Sequence, residues 1–190
     1  MRTIRSDRLQ LVPVTVENAD VLWEVLQKPD LRDFQDLPEL GVEQFKRSVA
    51  ERPGALEPAA AGRFEWLIYS NPPAGEALGW VSLRISDRML TAAEIGYSIV
   101  RAHRNRGIAT EAVGMLIDEG FTRTRLSVVR AYCVPENAPS RAVLRRHGFE
   151  DEGVLPHGAT VQGQPVDVIA HSLARDRWQS RLTENPPTRS

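Results

Sequence analysis

One segment, residues 101–112, holds the side chains that most clearly indicate chemistry. It reads Arg101-Ala-His-Arg-Asn-Arg-Gly-Ile-Ala-Thr-Glu-Ala112 and lies where a strand pattern gives way to a helix pattern. Gly107 permits a turn or a close backbone approach that a Cβ would obstruct, and free N–H groups at a helix start bind anions. Arg104 and Arg106 could add charge-assisted hydrogen bonds. The segment therefore predicts either a phosphate or pyrophosphate site or a connecting turn with solvated arginines.

Three further residues are candidates for chemistry. Glu94 alternates with Gly96 and Ser98 on one face of a predicted strand, so its carboxylate is either a general base or an ordinary exposed glutamate. Asn137 and Ser140 open a later helix, where asparagine is a favoured N-cap. Capping and a role in a site are compatible.

Several other kinds of site are not indicated. The motifs G-x-x-x-x-G-K-[ST] and, after a strand, G-x-G-x-x-G are both missing, which disfavours a P-loop kinase or a Rossmann oxidoreductase. The four histidines lack metal-ligand spacing, so we expect no metal. The one cysteine, Cys133, lies in an apolar strand and is interpreted as a core residue.

Length and charge limit the function classes. With 190 residues and a hydrophobic fraction of 42%, the chain predicts one globular domain. A net charge of −1 gives no basic excess for binding nucleic acid. No apolar run approaches membrane-spanning length, so we expect no membrane partner and a cytoplasmic location.

Apolar periodicity predicts a mixed α/β domain over residues 1–178 and a disordered tail over 179–190. A strand followed by a helix and another strand indicates one parallel crossover in an otherwise antiparallel sheet. The predicted strands cover residues 9–14, 64–70, 77–85, 92–100, 127–134 and 166–173. The predicted helices contain Ala19, Leu22, Trp23 and Leu26, then Val42, Phe45 and Val49, then residues 110–121 and 137–148.

Several motifs together resemble the RimJ/RimL branch of the GNAT N-acetyltransferases. Arg104-Asn-Arg-Gly107-Ile-Ala109 matches the family signature R/Q-x-x-G-x-G/A, and the resemblance covers roughly residues 7–178. The other matching segments are Arg8-Leu-Gln-Leu-Val-Pro13, Ala93-Glu-Ile-Gly-Tyr97, Gly107-Ile-Ala-Thr-Glu-Ala112, Asn137-Ala-Pro-Ser140, His147-Gly-Phe149 and Asp167-Val-Ile-Ala-His-Ser-Leu173.

The resemblance implies a curved mixed sheet whose central strands splay apart, with acetyl-CoA as co-substrate in the gap. Glu94 would be the general base, Ser140 would protonate the CoA thiolate, and a backbone N–H near Ile99 would stabilise the oxyanion. The residues implied to bind the co-substrate are Ile99, Val100, Arg101, Arg104, Arg106, Gly107, Ile108, Ala109, Thr110, Asn137 and Ser140.

The chain departs from the family pattern at two positions that bear on the chemistry. Other GNAT branches carry a tyrosine acid four residues beyond Ser140, and here that position is Leu144. Ser98 stands where RimJ/RimL-type proteins usually carry a bulky aromatic. The smaller serine side chain would widen the acceptor pocket.

The resemblance implies an amine acceptor, and homodimerisation stays open. We expect a protein or peptide N-terminal α-amine as acceptor. The alternatives are a small-molecule amine (amino acid, polyamine or aminoglycoside) and a non-catalytic acyl-CoA-binding sensor. The acidic residues Asp33, Asp36 and Glu39 either attract a cationic acceptor or form an ordinary polar loop.

Overall fold

The computed structural model describes residues 1–31, 33–34, 40–86, 89 and 91–184, which form a mixed eight-stranded sheet and five α-helices. The strands are β1 (Ile4–Arg5), β2 (Leu9–Pro13), β3 (Gly62–Ser70), β4 (Gly79–Ile85), β5 (Ala92–Ile99), β6 (Val128–Cys133), β7 (Glu150–Val161) and β8 (Gln164–Ala174). The helices are α1 (Ala19–Leu26), α2 (Val42–Ala50), α3 (Ile108–Arg123), α4 (Ala138–Arg146) and α5 (Arg175–Glu184). The predicted α/β class is confirmed.

The sheet has the strand order β1-β2-β3-β4-β5-β6-β8-β7. Among the described strands, β5 and β6 are the one parallel pair, joined by α3, as the crossover prediction required. They pair only from Ala92 with Val128 to Glu94 with Arg130. Beyond Glu94 the two strands diverge and a cavity opens between them. Residues Ile95–Ile99 of β5 and Ala131–Cys133 of β6 line this cavity. The predicted splay is confirmed.

Helices cover both faces of the sheet. On one face, α3 buries its apolar stripe of Val113, Leu116 and Phe121 against β-strand residues such as Leu83 and Ile95. On the other face, α1 and α2 pack over Leu67 and Trp80. The cross-strand neighbours Ser82 and Gly96 share the face of Trp80, so this face becomes polar beyond the cover of the two helices.

The C-terminal part of the chain differs from its prediction. The sequence predicts a disordered tail over residues 179–190. Residues 179–184 are instead helical and form the end of α5. The helix packs back through the Trp178 ring, which stacks on Phe121 with ring centroids 5.0 Å apart, and through Arg181, which donates to the Arg146 carbonyl at 2.7 Å. Residues 185–190 lie outside the described part. No described helix is long and apolar enough to cross a bilayer.

His147 joins α4 to α3 through a partly buried contact. Its Nε2 donates to the Thr110 carbonyl at 2.7 Å. A Cβ on Gly114 would lie 2.9 Å from the imidazole, so only glycine allows this approach. Burial lowers the pKa of His147, and the nearby guanidinium of Arg181 adds to this lowering, whereas the Thr110 bond and Asp118 oppose it.

We therefore expect His147 to make the free energy of unfolding depend on pH. Its unfolded pKa of about 6.5 lies above the folded value, so the unfolded chain binds the proton first. The free energy of unfolding falls as the pH drops below about 6.5, by at most about 1.4 kcal/mol per pH unit. His147→Gln should remove that part of the slope in urea titrations between pH 7.5 and 5.5. Equal slopes for the two proteins would contradict the assignment.

Candidate functional site

A cavity of about 540 Å³ opens where β5 and β6 diverge. It is lined by the turn that enters α3, by the facing strands and by the first turn of α4. Asp30, Leu31 and Phe34, from the connection between α1 and α2, line it as well. The cavity therefore joins three separate parts of the chain, and most of the residues that the sequence singled out meet there.

The turn before α3 presents unpaired backbone donors to this cavity. Gly107 has φ +76°, a left-handed conformation that favours glycine, and a Cβ there would meet no described atom within 4 Å. No described side chain caps the helix. The N–H groups of Ile108, Ala109 and Thr110 precede the first helical hydrogen bond, from Glu111 N to the Gly107 carbonyl at 3.0 Å. Unpaired donors at the start of a helix of 16 residues have the geometry with which helix N-termini bind anions.

The open edge of β5 adds further backbone donors. Val100 donates its N–H to the Leu78 carbonyl, on the β4 side, at 2.9 Å. Successive N–H groups of a strand point to opposite edges, so those of Ile99 and Tyr97 point away from β4 and toward the gap. The Ile99 N–H thus faces the gap, and its oxyanion role stays a prediction. The Val100 N–H is already bonded, and its buried side chain packs in the core under α1 and α2, so it offers no donor to the gap.

Two hydroxyl groups that belong to residues lining the cavity meet each other. The Tyr97 Oη lies 2.8 Å from the Ser140 Oγ and 3.2 Å from the Ser140 carbonyl. The Asn137 Oδ1 accepts from the Ser140 N–H at 3.1 Å, so the predicted N-cap is confirmed. Burial raises the pKa of Tyr97 to about 12. The Cys133 thiol lies beside this group, and burial raises its pKa too.

Comparison with known proteins identifies this architecture. A family model described as "Acetyltransferase (GNAT) domain" matches residues 8–150. The chain belongs to the GNAT acetyltransferase family. This GNAT protein is 31% identical over 179 residues to the uncharacterized N-acetyltransferase p20 of Bacillus licheniformis, covering 94% of this chain and 99% of the relative. It is an N-acetyltransferase.

Two further comparisons concern the branch and the acceptor. The solved structure of RimL, a ribosomal L7/L12 α-N-protein acetyltransferase in complex with coenzyme A, has the same fold, with a TM-score of 0.78, 22% identity and coverage of 93% of this chain and 99% of RimL. The predicted RimJ/RimL resemblance is thus confirmed at the level of the fold. Spermidine N(1)-acetyltransferase of Escherichia coli (strain K12) is 28% identical over 104 residues, covering 55% of this chain and 56% of that protein.

The arginines of the GNAT signature lie differently from their prediction. Arg104 donates from Nε to the Ile99 carbonyl at 2.9 Å, and from Nη2 to the Asp30 carbonyl at 2.8 Å and to Asp30 Oδ2 at 3.1 Å. It therefore fastens the α1–α2 connection to the end of β5 and is not a free pyrophosphate ligand. The exposed residues Arg101 and Arg106 do not line the cavity. The backbone N–H groups of the α3 turn are the predicted donors that remain available to an anion.

Glu94 of the acetyltransferase lies beside the cavity and does not line it. It shares a strand face with Gly96 and Ser98, which do line it, so the predicted alternation is confirmed. Its carboxylate pairs with Arg84 at 2.8 Å and is 42% exposed. Arg84 and Arg130 are its cross-strand neighbours on either side. Glu94 is therefore near the site but engaged by a guanidinium.

The remaining site predictions fall on or near the α1–α2 connection. Asp33 lies 3.8 Å from Arg104 and thus extends the contact made by Asp30. Asp36 and Glu39 lie outside the described residues. Sequence reasoning did not select Asp30 or the hydroxyl of Tyr97. Asp30 carries no sequence signal, whereas Tyr97 stands in the family motif Ala93–Tyr97, where the strand pattern gives no indication of a partner for its hydroxyl.

Proposed function

We propose that this acetyltransferase binds acetyl-CoA in the gap between β5 and β6 and transfers the acetyl group to a primary amine by direct attack in a ternary complex. The observation that supports it is one cavity that contains both an anion site and a hydroxyl pair. The residues fit the co-substrate, because the α3 turn is open at Gly107 and has N–H donors for a pyrophosphate.

Each part of the cavity takes one task in this proposal. The N–H groups of Ile108, Ala109 and Thr110 hold the pyrophosphate, and the open edge of β5 holds the pantetheine arm. The co-substrate supplies an activated thioester. The Ile99 N–H stabilises the oxyanion, and the Ser140 hydroxyl donates a hydrogen bond to the sulfur that leaves with CoA. Positioning and these hydrogen bonds provide most of the acceleration, without a covalent enzyme intermediate.

The pairing of Glu94 favours an acceptor that loses its proton easily. Deprotonation at pH 7 costs about 1 kcal/mol for an α-amine and about 4–5 kcal/mol for a lysine-like amine. Glu94 is paired with Arg84 and accepts a proton from the cavity only through a water. We therefore assign it the deprotonation of an α-amine, which costs less free energy than that of a lysine-like amine. The acceptor we propose is therefore the N-terminal α-amine of a protein or peptide.

A small-molecule amine is the second candidate acceptor. The E. coli relative acts on spermidine according to its name. Ser98 is small and lines the cavity, which leaves room there for a slender amine. A polyamine nitrogen has the higher cost of deprotonation, so this acceptor would need a stronger base than the Glu94–Arg84 pair.

Release of free CoA at pH 7 tests the function and the acceptor together. We expect a peptide with a free α-amine to be acetylated at least about tenfold faster, by kcat/KM, than its Nα-blocked counterpart with one lysine or than spermidine. Glu94→Gln should lower kcat on the free peptide about five- to tenfold, since the base supplies about 1 kcal/mol. Its affinity for acetyl-CoA should be unchanged.

The other outcomes separate the alternatives. A higher kcat/KM for spermidine would replace the peptide with a small-molecule acceptor. Tight binding of acetyl-CoA without CoA release with any of the amines would indicate a non-catalytic sensor. An unchanged kcat in Glu94→Gln would remove this residue from the mechanism while leaving the transfer reaction standing.

A further inference from the structure

The hydroxyl pair of Tyr97 and Ser140 joins two elements across the cavity. Tyr97 comes from β5, and Ser140 from the first turn of α4. The 2.8 Å contact between the two oxygens connects one wall of the gap with the other. Leu144, where other GNAT branches carry a tyrosine, is fully buried in the core. Here the tyrosine hydroxyl next to Ser140 therefore comes from the sheet and not from α4.

The contact limits the directions that the Ser140 proton can take. A serine hydroxyl rotates about its C–O bond, with one proton to donate and two lone pairs to accept. The Asn137 side chain already holds the Ser140 backbone N–H. When Tyr97 donates into Oγ, the serine proton must point elsewhere, either to the Cys133 thiol, which is within hydrogen-bond reach of Ser140, or into the rest of the cavity.

We propose that Tyr97 is a positioning residue for acetyl transfer, holding Ser140 Oγ so that the serine O–H is directed to the sulfur that leaves as CoA. The proposal rests on the proposed function, since it assumes that Ser140 serves the leaving sulfur. A residue of β5 thereby takes part in stabilising the leaving sulfur.

Both hydroxyls keep their protons in this step. The N–C bond forms, the C–S bond breaks, and the sulfur keeps the electron pair of that bond. CoA leaves as a thiolate, and the proton given up by the attacking nitrogen passes through a water to the Glu94 carboxylate and from there to solvent, so the charges balance. Transfer from Tyr97 would be uphill, because its pKa of about 12 exceeds the value of about 8.5 for an ordinary thiol. Ser140 thus acts as a hydrogen-bond donor, a narrower role than protonation of the thiolate.

Titration of bound CoA tests this without turnover. Thiolate formation is followed by ultraviolet absorbance in the Cys133→Ala background, so that the protein's thiol does not contribute. We expect the pKa of bound CoA to rise by about one unit when Tyr97→Phe is added, equal to a tenfold loss of thiolate stabilisation. In turnover, Tyr97→Phe should lower kcat about tenfold and leave the KM for acetyl-CoA within about twofold.

Two comparisons make the assignment specific. Tyr69→Phe removes a half-buried hydroxyl outside the cavity, and should change neither the thiol pKa nor kcat. Tyr97→Phe in a Ser140→Ala protein should have little further effect on kcat, because the tyrosine acts through the serine. Additive losses in the double variant would overturn the positioning role.

The result distinguishes this proposal from the proposed function. A Tyr97-dependent thiol pKa in a protein that releases no CoA with amines would support the contact and overturn the acetyl-transfer function. Normal turnover with a thiol pKa and kcat unaffected by Tyr97→Phe would overturn the positioning role alone.

Discussion

Replacing Gly107 with valine is expected to weaken acetyl-CoA binding by about a hundredfold or more. The backbone at this position has φ +76°, and the first N–H groups of α3 follow directly. A branched side chain would occupy the space in which a pyrophosphate reaches those donors. Two lost charge-assisted hydrogen bonds, each contributing about 1.5–3 kcal/mol, account for an effect of this size. Titration calorimetry with acetyl-CoA measures it directly.

The chain contains a matched control for this substitution. Gly75, between β3 and β4, has φ +75° and is exposed, and a Cβ at this position would meet no described atom within 4 Å. Gly75→Val therefore imposes the same backbone strain, about 1–2 kcal/mol, away from the cavity. It should bind acetyl-CoA as the wild type does. Equal affinity in the two valine variants would show that the α3 turn is not the anion site.

The turn itself could be predicted from sequence because its causes are local. A glycine between a strand pattern and an apolar helix stripe requires a tight backbone turn, and helix starts always leave N–H groups unpaired. The partner of the Arg104 side chain, in contrast, depends on a contact between distant parts of the chain. The guanidinium reaches Asp30, which lies 74 positions earlier in the chain. Residue spacing gives no information about which distant carboxylate a long side chain will meet.

The strand β7 was missed for a different reason. Its residues Glu150–Val161 are almost all exposed, so burial imposes no alternation on their sequence. The strand exists because its backbone pairs with β8, over the register from Glu150 with Ser172 to Val161 with Gln164. Alternation of apolar and polar residues reveals strands that bury one face. It does not reveal an exposed edge strand that forms because its backbone pairs with a neighbouring strand.

The faces of β5 show both the strength and the limit of alternation. It correctly placed Glu94 on one face with Gly96 and Ser98, because side chains of a strand alternate with period two. It could not show that Arg84 would engage Glu94 or that Ser140 would meet Tyr97. Those neighbours depend on strand register and on where α4 packs, which are properties of the whole fold.

Removing the charge of Glu65 is expected to cause the largest loss of stability. This carboxylate is 3% exposed and lies on β3, on the sheet face shared with Arg63 and Leu67. It pairs with Arg52, whose side chain is 15% exposed, and with the Arg63 Nε at 3.1 Å. Glu65→Gln keeps the shape and leaves Arg52 as a buried, uncompensated charge. We expect the free energy of unfolding in urea to fall by about 3–5 kcal/mol.

A pair of control variants separates charge pairing from packing. Glu76→Gln removes an exposed carboxylate 3.2 Å from Lys28, and should cost less than about 1 kcal/mol because water screens that pair. Replacing both buried partners, with Arg52→Met and Glu65→Leu, should recover most of the stability lost in Glu65→Gln, since no buried charge then lacks a partner. The exposed side of Arg63 remains hydrated in that protein. If Glu65→Gln costs no more than Glu76→Gln, the buried pair does not hold this face of the sheet together.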